Sequence, residues 1–174
     1  MRGLVIVEGV SDQAAVEALA ARRGIDLATE GVALARIGGA HGIGRFLDGL
    51  DRDQLVLAAL CDAGEEHLFH RAFRRHGLER SALFVCNRDL EDELIRSHGA
   101  AGVEQVLAAH DDLGLFRVFQ QQPAQRGREI EAQLRRFLGV RAGRKAEYAR
   151  LLVDALDPSR VPPPLDGALA YVMP

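Results

Sequence analysis

The chain has 174 residues, of which 48% are hydrophobic and 27% charged, and a formal net charge of -3. This is the length of one α/β-sized domain with a sizeable core and room for an appended subdomain. The charge excludes a general pull toward nucleic acid or anionic membranes, so a polyanionic partner has to be met by a local basic patch or by bound metal. Two cysteines, Cys61 and Cys86, exclude a disulfide framework and make a reducing, cytoplasmic setting the expectation. Arg2 is followed by a short apolar run that ends at Glu8, so no signal peptide is expected, and no stretch approaches a membrane span.

In chain order, Leu4-Val5-Ile6-Val7 has no polar alternation, the pattern of a strand buried on both faces. It runs into Glu8 and Gly9. Ser11 is expected as the N-cap of a helix over 11–23, and Asp12 falls in its first turn, where the macrodipole favours an acid. A second strand is expected over 32–37, then a glycine-rich turn over 38–44 and a short helix through Phe46, Leu47 and Leu50. That turn lacks the Lys-Ser/Thr ending of a phosphate-binding P-loop, and His41 reads as a turn residue. A third strand over 55–61 ends in Asp62-Ala63-Gly64-Glu65-Glu66, and the helix that follows, to about His76, presents Leu68, Phe69, Ala72 and Phe73 as its inner stripe. The fourth strand, Leu83-Phe84-Val85-Cys86, runs into Asn87-Arg88-Asp89-Leu90-Glu91-Asp92-Glu93.

Alternation of strands and helices predicts parallel pairing through right-handed crossovers, which gathers the strands' carboxyl ends on one edge. Taken singly, each acid has a plain structural explanation as an N-cap, a first-turn carboxylate or a solvated helix face. Their recurrence at three successive strand ends points further. Glu8, Asp12, Asp62, Glu65 or Glu66, and Glu91 with Glu93 would converge, and ionised carboxylates so placed repel unless a cation, a proton or an arginine compensates. Oxygen-only ligands suit a hard divalent ion: Mg²⁺ by availability, with Mn²⁺ or Ca²⁺ as substitutes.

These residues carry a family resemblance. The segment Val7-Glu8-Gly9-Val10-Ser11-Asp12, the Asp62-centred turn and Leu90-Glu91-Asp92-Glu93 resemble the TOPRIM domain of the overcoming-lysogenization-defect (OLD) family endonucleases. In that family the domain usually follows an ABC-type ATPase. No Walker A pattern stands in this sequence, and the chain reads as the TOPRIM region alone. The resemblance implies an α/β, Rossmann-like fold: a mostly parallel four-stranded sheet flanked by helices, with residues 1–115 as the core and 116–174 as a helical C-terminal extension packed on it. It implies Glu8 and Asp12 as the first acidic motif, Asp62 as the first aspartate of Asp-x-Asp, and Glu91 and Glu93 as a Leu-Glu-x-Glu motif. Lys145, the only lysine in the chain, matches the late-helix lysine set near a scissile phosphate. The sequence departs from the pattern at Gly64, where a second aspartate is expected. Either Glu65 or Glu66 reaches in, or one metal site is weakened or lost.

The implied function is a Mg²⁺-dependent nuclease or related phosphodiester hydrolase acting on nucleic acid, DNA first, with Glu8, Asp62 and Lys145 as the catalytic residues. The metal ligands would come from Glu8, Asp12, Asp62, Glu65, Glu66, Glu91 and Glu93. The alternatives are a catalytically weak metal- and nucleic-acid-binding module partnering a separate ATPase, and a hydrolase of small nucleotides. A second copy of the chain is left open as a homodimer partner, and no membrane is expected. Past Phe116, Arg126, Arg128, Arg135, Arg136, Arg141 and Arg144 form a basic stretch that reads equally as a phosphate-backbone contact and as a solvated helix face. Val161-Pro162-Pro163-Pro164 is expected to stop helix formation and carry the last segment across the surface.

Overall fold

A computed structural model of the chain describes residues 2–51, 55–78, 81–140 and 143–173. The elements are β1 (Arg2–Val7), α1 (Val10–Arg22), β2 (Val32–Arg36), a 3-10 turn (Ala40–Gly42) leading into α2 (Ile43–Asp48), β3 (Leu55–Asp62), α3 (Glu66–Arg75), β4 (Ala82–Cys86), α4 (Leu90–Ala109), α5 (Leu113–Gln120), α6 (Ile130–Gly139), α7 (Arg144–Ala155) and α8 (Pro163–Val172). The four strands form one parallel sheet in the order β2-β1-β3-β4. The α/β fold expected from the alternation of elements is the fold observed.

The central strands β1 and β3 are apolar along both faces because helices cover both. Val5 and Val7 with Ala58 and Leu60 pack into one core, which takes in side chains from α1, α4, α7 and α8. Leu4 and Ile6 with Leu57, Ala59 and Cys61 pack into the other, under α2 and α3. Each fully buried Val, Leu or Ile of these strands contributes about 1.5–3 kcal/mol relative to exposure. The period of two thus divides each strand between two helical layers, and the sheet is fixed in register from above and below.

Two local expectations are corrected. Ser11 is not the N-cap of α1: Gly9 holds that position in extended backbone, and the Asp12 side chain accepts the Gly9 amide at 2.8 Å. The helix starts a residue early because a carboxylate in its first turn reaches back and satisfies an orphan donor, the job expected of the serine. The prolines after Val161 do not end the helical structure either. Pro163 and Pro164 open α8, where a missing N–H is no loss and a fixed φ is already helical. Leu165, Ala168, Leu169 and Val172 of α8 are buried against the sheet. The approach depends on two glycines. A Cβ on Gly3 would stand 2.7 Å from the Val172 carbonyl oxygen, and one on Gly167 would stand 2.4 Å from Phe84 Cε1.

Candidate metal centre

Parallel pairing brings the carboxyl ends of β1, β3 and β4 to one edge, and the acids follow. Glu8 is the first residue past β1, and its Oε1 accepts the Asp62 amide at 3.1 Å, which ties the end of β1 to the end of β3. Glu65, at the start of α3, completes a group: Glu8, Asp62 and Glu65 each offer an oxygen, all lying within 4.8 Å of one another. The turn over 62–65 is closed by the Glu65 amide donating to the Asp62 carbonyl at 2.9 Å, and this delivers Glu65 beside the site. Gly64 supplies no side chain, so the acid one position later stands on that wall.

The opposite wall comes from α1, α4 and α7. A cleft of about 550 Å³ is lined by Glu8, Asp12, Arg36, Asp62, Asp89, Glu91 and Lys145, together with glycines of the two flanking turns. Asp89 caps α4, its Oδ1 accepting the Asp92 amide at 2.8 Å while Oδ2 accepts from Arg135 Nε at 2.7 Å. Glu91 is only 3% exposed. Its Oε2 lies 3.1 Å from Lys145 Nζ, while its buried Oε1 has no hydrogen-bond partner.

The electrostatics record the crowding. Burial raises the Glu8 carboxyl from 4.5 to about 8, and a hydrogen bond that the protonated carboxyl donates to the neighbouring Glu65 carboxylate adds to the effect. Asp62 is raised from 3.8 to about 7, first by burial and then by the negative fields of Asp12, Asp89, Glu91 and Glu65. Asp12 is raised by burial, against the pull of the Gly9 amide. Asp89 goes the other way: burial opposes its ionisation, but the Arg135 and Asp92 hydrogen bonds outweigh it and hold the carboxyl below 3.8. Arg135 and Lys145 are paired with acids of this cleft and Arg36 is a further cation on its lining, three positive charges against Glu8, Asp12, Asp62, Glu65, Asp89 and Glu91. The deficit of positive charge is what a divalent cation fills. The donor set fits one: oxygens within 4.8 Å of one another can share an ion at 2.0–2.6 Å from each, and the unpartnered Glu91 oxygen is a further acceptor without a donor.

Glu66 and Glu93 are engaged elsewhere. Glu66 meets His70 at 3.0 Å on the exposed side of α3. Glu93 accepts the Asn87 amide at 2.8 Å and pairs with Arg96, lining a separate surface depression with Pro163 and Pro164. Its spacing of two from Glu91 on a helix turns it to a different face. Asp89 and Arg36 were not singled out as site residues from sequence. Asp89 carried the signal that marked Glu8 and Asp62, an acid just past a buried strand, and Arg36 ends β2 on the same edge. The basic stretch is largely committed: Arg135 to Asp89, Arg126 and Arg128 to backbone carbonyls, and buried Arg144 to Asp112 at 3.5 Å and to the Phe137 ring at 4.4 Å. Arg141 lies outside the described residues. Cys61 and Cys86 are buried, and burial pushes both thiols up, Cys61 to about 12, as suits core side chains.

Residues 1–63, from β1 through Asp62, match the family model described as overcoming lysogenization defect protein-like, TOPRIM domain. Over those residues, from the first strand to the Asp62 turn, the chain is similar to the OLD-like TOPRIM domain. Its fold is similar to that of the C-terminal region of the Burkholderia pseudomallei OLD protein, with a TM-score of 0.68 at 18% identity over 98% of this chain and 96% of that one. The C-terminal region of the Xanthomonas campestris pv. campestris OLD protein is similar too, with a TM-score of 0.69 at 19% identity over 98% of this chain and 93% of that one. At such identity the likeness is one of fold, and it extends through the helices after α4. No curated protein matches the chain by sequence. No helix among the described residues is long and apolar enough to cross a membrane.

Proposed function

We propose that this TOPRIM domain is a divalent-metal-dependent phosphodiesterase acting on nucleic acid, with DNA as the first substrate to test. The observation that carries the reading is the Glu8, Asp62 and Glu65 group, three oxygens within 4.8 Å drawn from two strand ends and the turn after them. Glu8, Asp62 and Glu65 would hold Mg²⁺ or Mn²⁺, which when bound polarises a phosphoryl oxygen and generates hydroxide from water near neutral pH. Asp12 and the unpartnered Glu91 oxygen offer further acceptors across the cleft. Lys145, half exposed at the mouth and anchored to Glu91, presents a positive charge toward a phosphate oxygen that gains negative charge in the transition state. The unpaired, buried cysteines suit work in the cytoplasm.

A second reading rests on Gly64, which leaves one position of the acidic turn without a side chain. It is a module that binds metal and nucleic acid without cutting and serves a separate ATPase. The two are separated by incubating the protein with supercoiled and single-stranded DNA in Mg²⁺ or Mn²⁺. The enzyme cuts, and Glu8→Gln and Asp62→Asn abolish cutting while circular dichroism stays unchanged. Metal-dependent binding with no product for any substrate sinks the enzyme in favour of the module. Turnover of mononucleotides alone would redirect the reading to small phosphoesters.

A further inference from the structure

We propose that a second, smaller cavity beside the acidic cleft, rimmed by His41, Arg71 and Arg75, holds a backbone phosphate of the nucleic-acid strand whose neighbouring phosphodiester lies in that cleft. The inference rests on the function proposed above and adds where the strand runs. The two hollows share one turn: Gly38 and Gly39 line the cleft, and Ala40, His41, Ile43 and Gly44 line the cavity. The same turn thus borders both hollows, and this is the path assigned to the strand.

The chemistry of the cavity fits one phosphate group. Arg71 and Arg75 stand one turn apart on α3 and project to the same side. Neither is paired with a carboxylate among the described residues. The nearest acid on the helix, Glu66, is taken by His70, a full turn away from the cavity rim. The floor is apolar, made by Ile43, Leu68 and Ala72, so the guanidinium charges are backed by a low-dielectric wall and act more strongly on an anion than they would in open water. The volume is about 180 Å³, which admits a phosphate group. An anionic polymer also needs such a contact here. The acidic cleft repels phosphate: Lys145 and Arg135 are bound to Glu91 and Asp89, which leaves Arg36 on its lining against the remaining acids.

The test is fluorescence anisotropy of a labelled duplex oligonucleotide with the full chain in Ca²⁺, over a series of salt concentrations. Arg71→Ala and Arg75→Ala are each expected to weaken binding about fivefold or more and to reduce the slope of log affinity against log salt by about 0.9, the loss of one phosphate contact. Arg75→Lys, which keeps the charge, should restore most of the slope. Arg74→Ala is the control: it removes the same charge from the same helix, but Arg74 lines a different depression with Phe73 and Leu78. It should bind as the unaltered protein does. All three sites are exposed, and matching thermal unfolding curves confirm that the variants fold. If Arg71→Ala and Arg75→Ala bind like the unaltered protein, or if Arg74→Ala weakens binding equally, the cavity is not a strand contact, while the function proposed above stands. If millimolar inorganic phosphate stabilises the unaltered protein but not these variants, and DNA affinity is the same in all, the cavity takes a free anion and the strand path is overturned. If the unaltered protein binds no nucleic acid with any metal, the function itself fails and this contact fails with it.

Discussion

Metal binding to this cleft should rise steeply between pH 6 and pH 8, because the ion has to displace protons that the fold holds on the acids. Glu8 titrates at about 8 and Asp62 at about 7. From pH 6 to pH 8 the ionised fraction of Glu8 goes from about 1% to about half, and that of Asp62 from about one-tenth to about nine-tenths. Taken as independent the two factors multiply to roughly 500-fold in apparent affinity, an upper figure that water in the open cleft reduces. Stability moves in the opposite sense without metal. Both carboxyls hold their protons more tightly folded than unfolded, so the folded state binds more protons between 4.5 and about 8 for Glu8 and between 3.8 and about 7 for Asp62. Over that window the metal-free protein loses stability as pH rises, and saturating metal reverses the trend. Calorimetric titration with Mn²⁺ at pH 6, 7 and 8, in buffers of different protonation enthalpy, measures affinity and released protons together. An affinity that is flat with pH, or binding without proton release at pH 6, would refute the placement of Glu8 and Asp62 as ligands.

Three further outcomes follow from particular contacts. Gly167→Ala puts a methyl 2.4 Å from Phe84 Cε1 and should cost about 1–3 kcal/mol in chemical denaturation, with part of the loss recovered when Phe84 is also reduced to Leu. Arg135→Ala strips the partner from Asp89 and should cost about 1–2 kcal/mol at pH 7, discounted for the partial exposure of the arginine. Since the Asp89 carboxyl is held below 3.8, the stabilisation from this pair is present above that pH and fades as pH falls through the folded value, so the two proteins should converge in stability under acid. Lys145→Ala should lower the rate of DNA cleavage about tenfold to a hundredfold while leaving Mn²⁺ affinity within a few-fold, and a rate equal to that of the unaltered protein would remove Lys145 from the chemistry.

The parts of the fold and of the candidate site that were legible in the sequence are those that follow from periodicity and position. Leu4 to Val7 had to be buried on both faces, the strand-helix alternation had to run parallel, and the acids after Val7, Cys61 and Cys86 therefore had to share an edge. Side-chain direction was not legible. Glu91 and Glu93 look equivalent in sequence, yet the helical turn between them sends one to Lys145 over the cleft and the other to Arg96 outside it. Glu65 and Glu66 divide in the same way, one beside Asp62 and one beside His70. Tertiary neutralisation was also hidden: nothing local to Asp89 announces that Arg135, far along the chain on α6, will pair with it. The proline run misled because proline ends helices more often than it begins them, and only the burial of Leu165 and Leu169 reveals the second case.

The seat of α8 beside β1 bears on how the chain is made. Val172 closes over Gly3, so the apolar face of the first strand waits for residues near the end of the chain before it is covered. During synthesis β1, β3 and β4 can pair and gather their acids at the edge, but that face is only partly covered, by α1, α4 and α7, until α8 clears the ribosome. The layer under α2 and α3 is complete much earlier in the chain. The two faces of one sheet are thus finished at different times, and the late face is where a stalled or shortened product would stick to its neighbours.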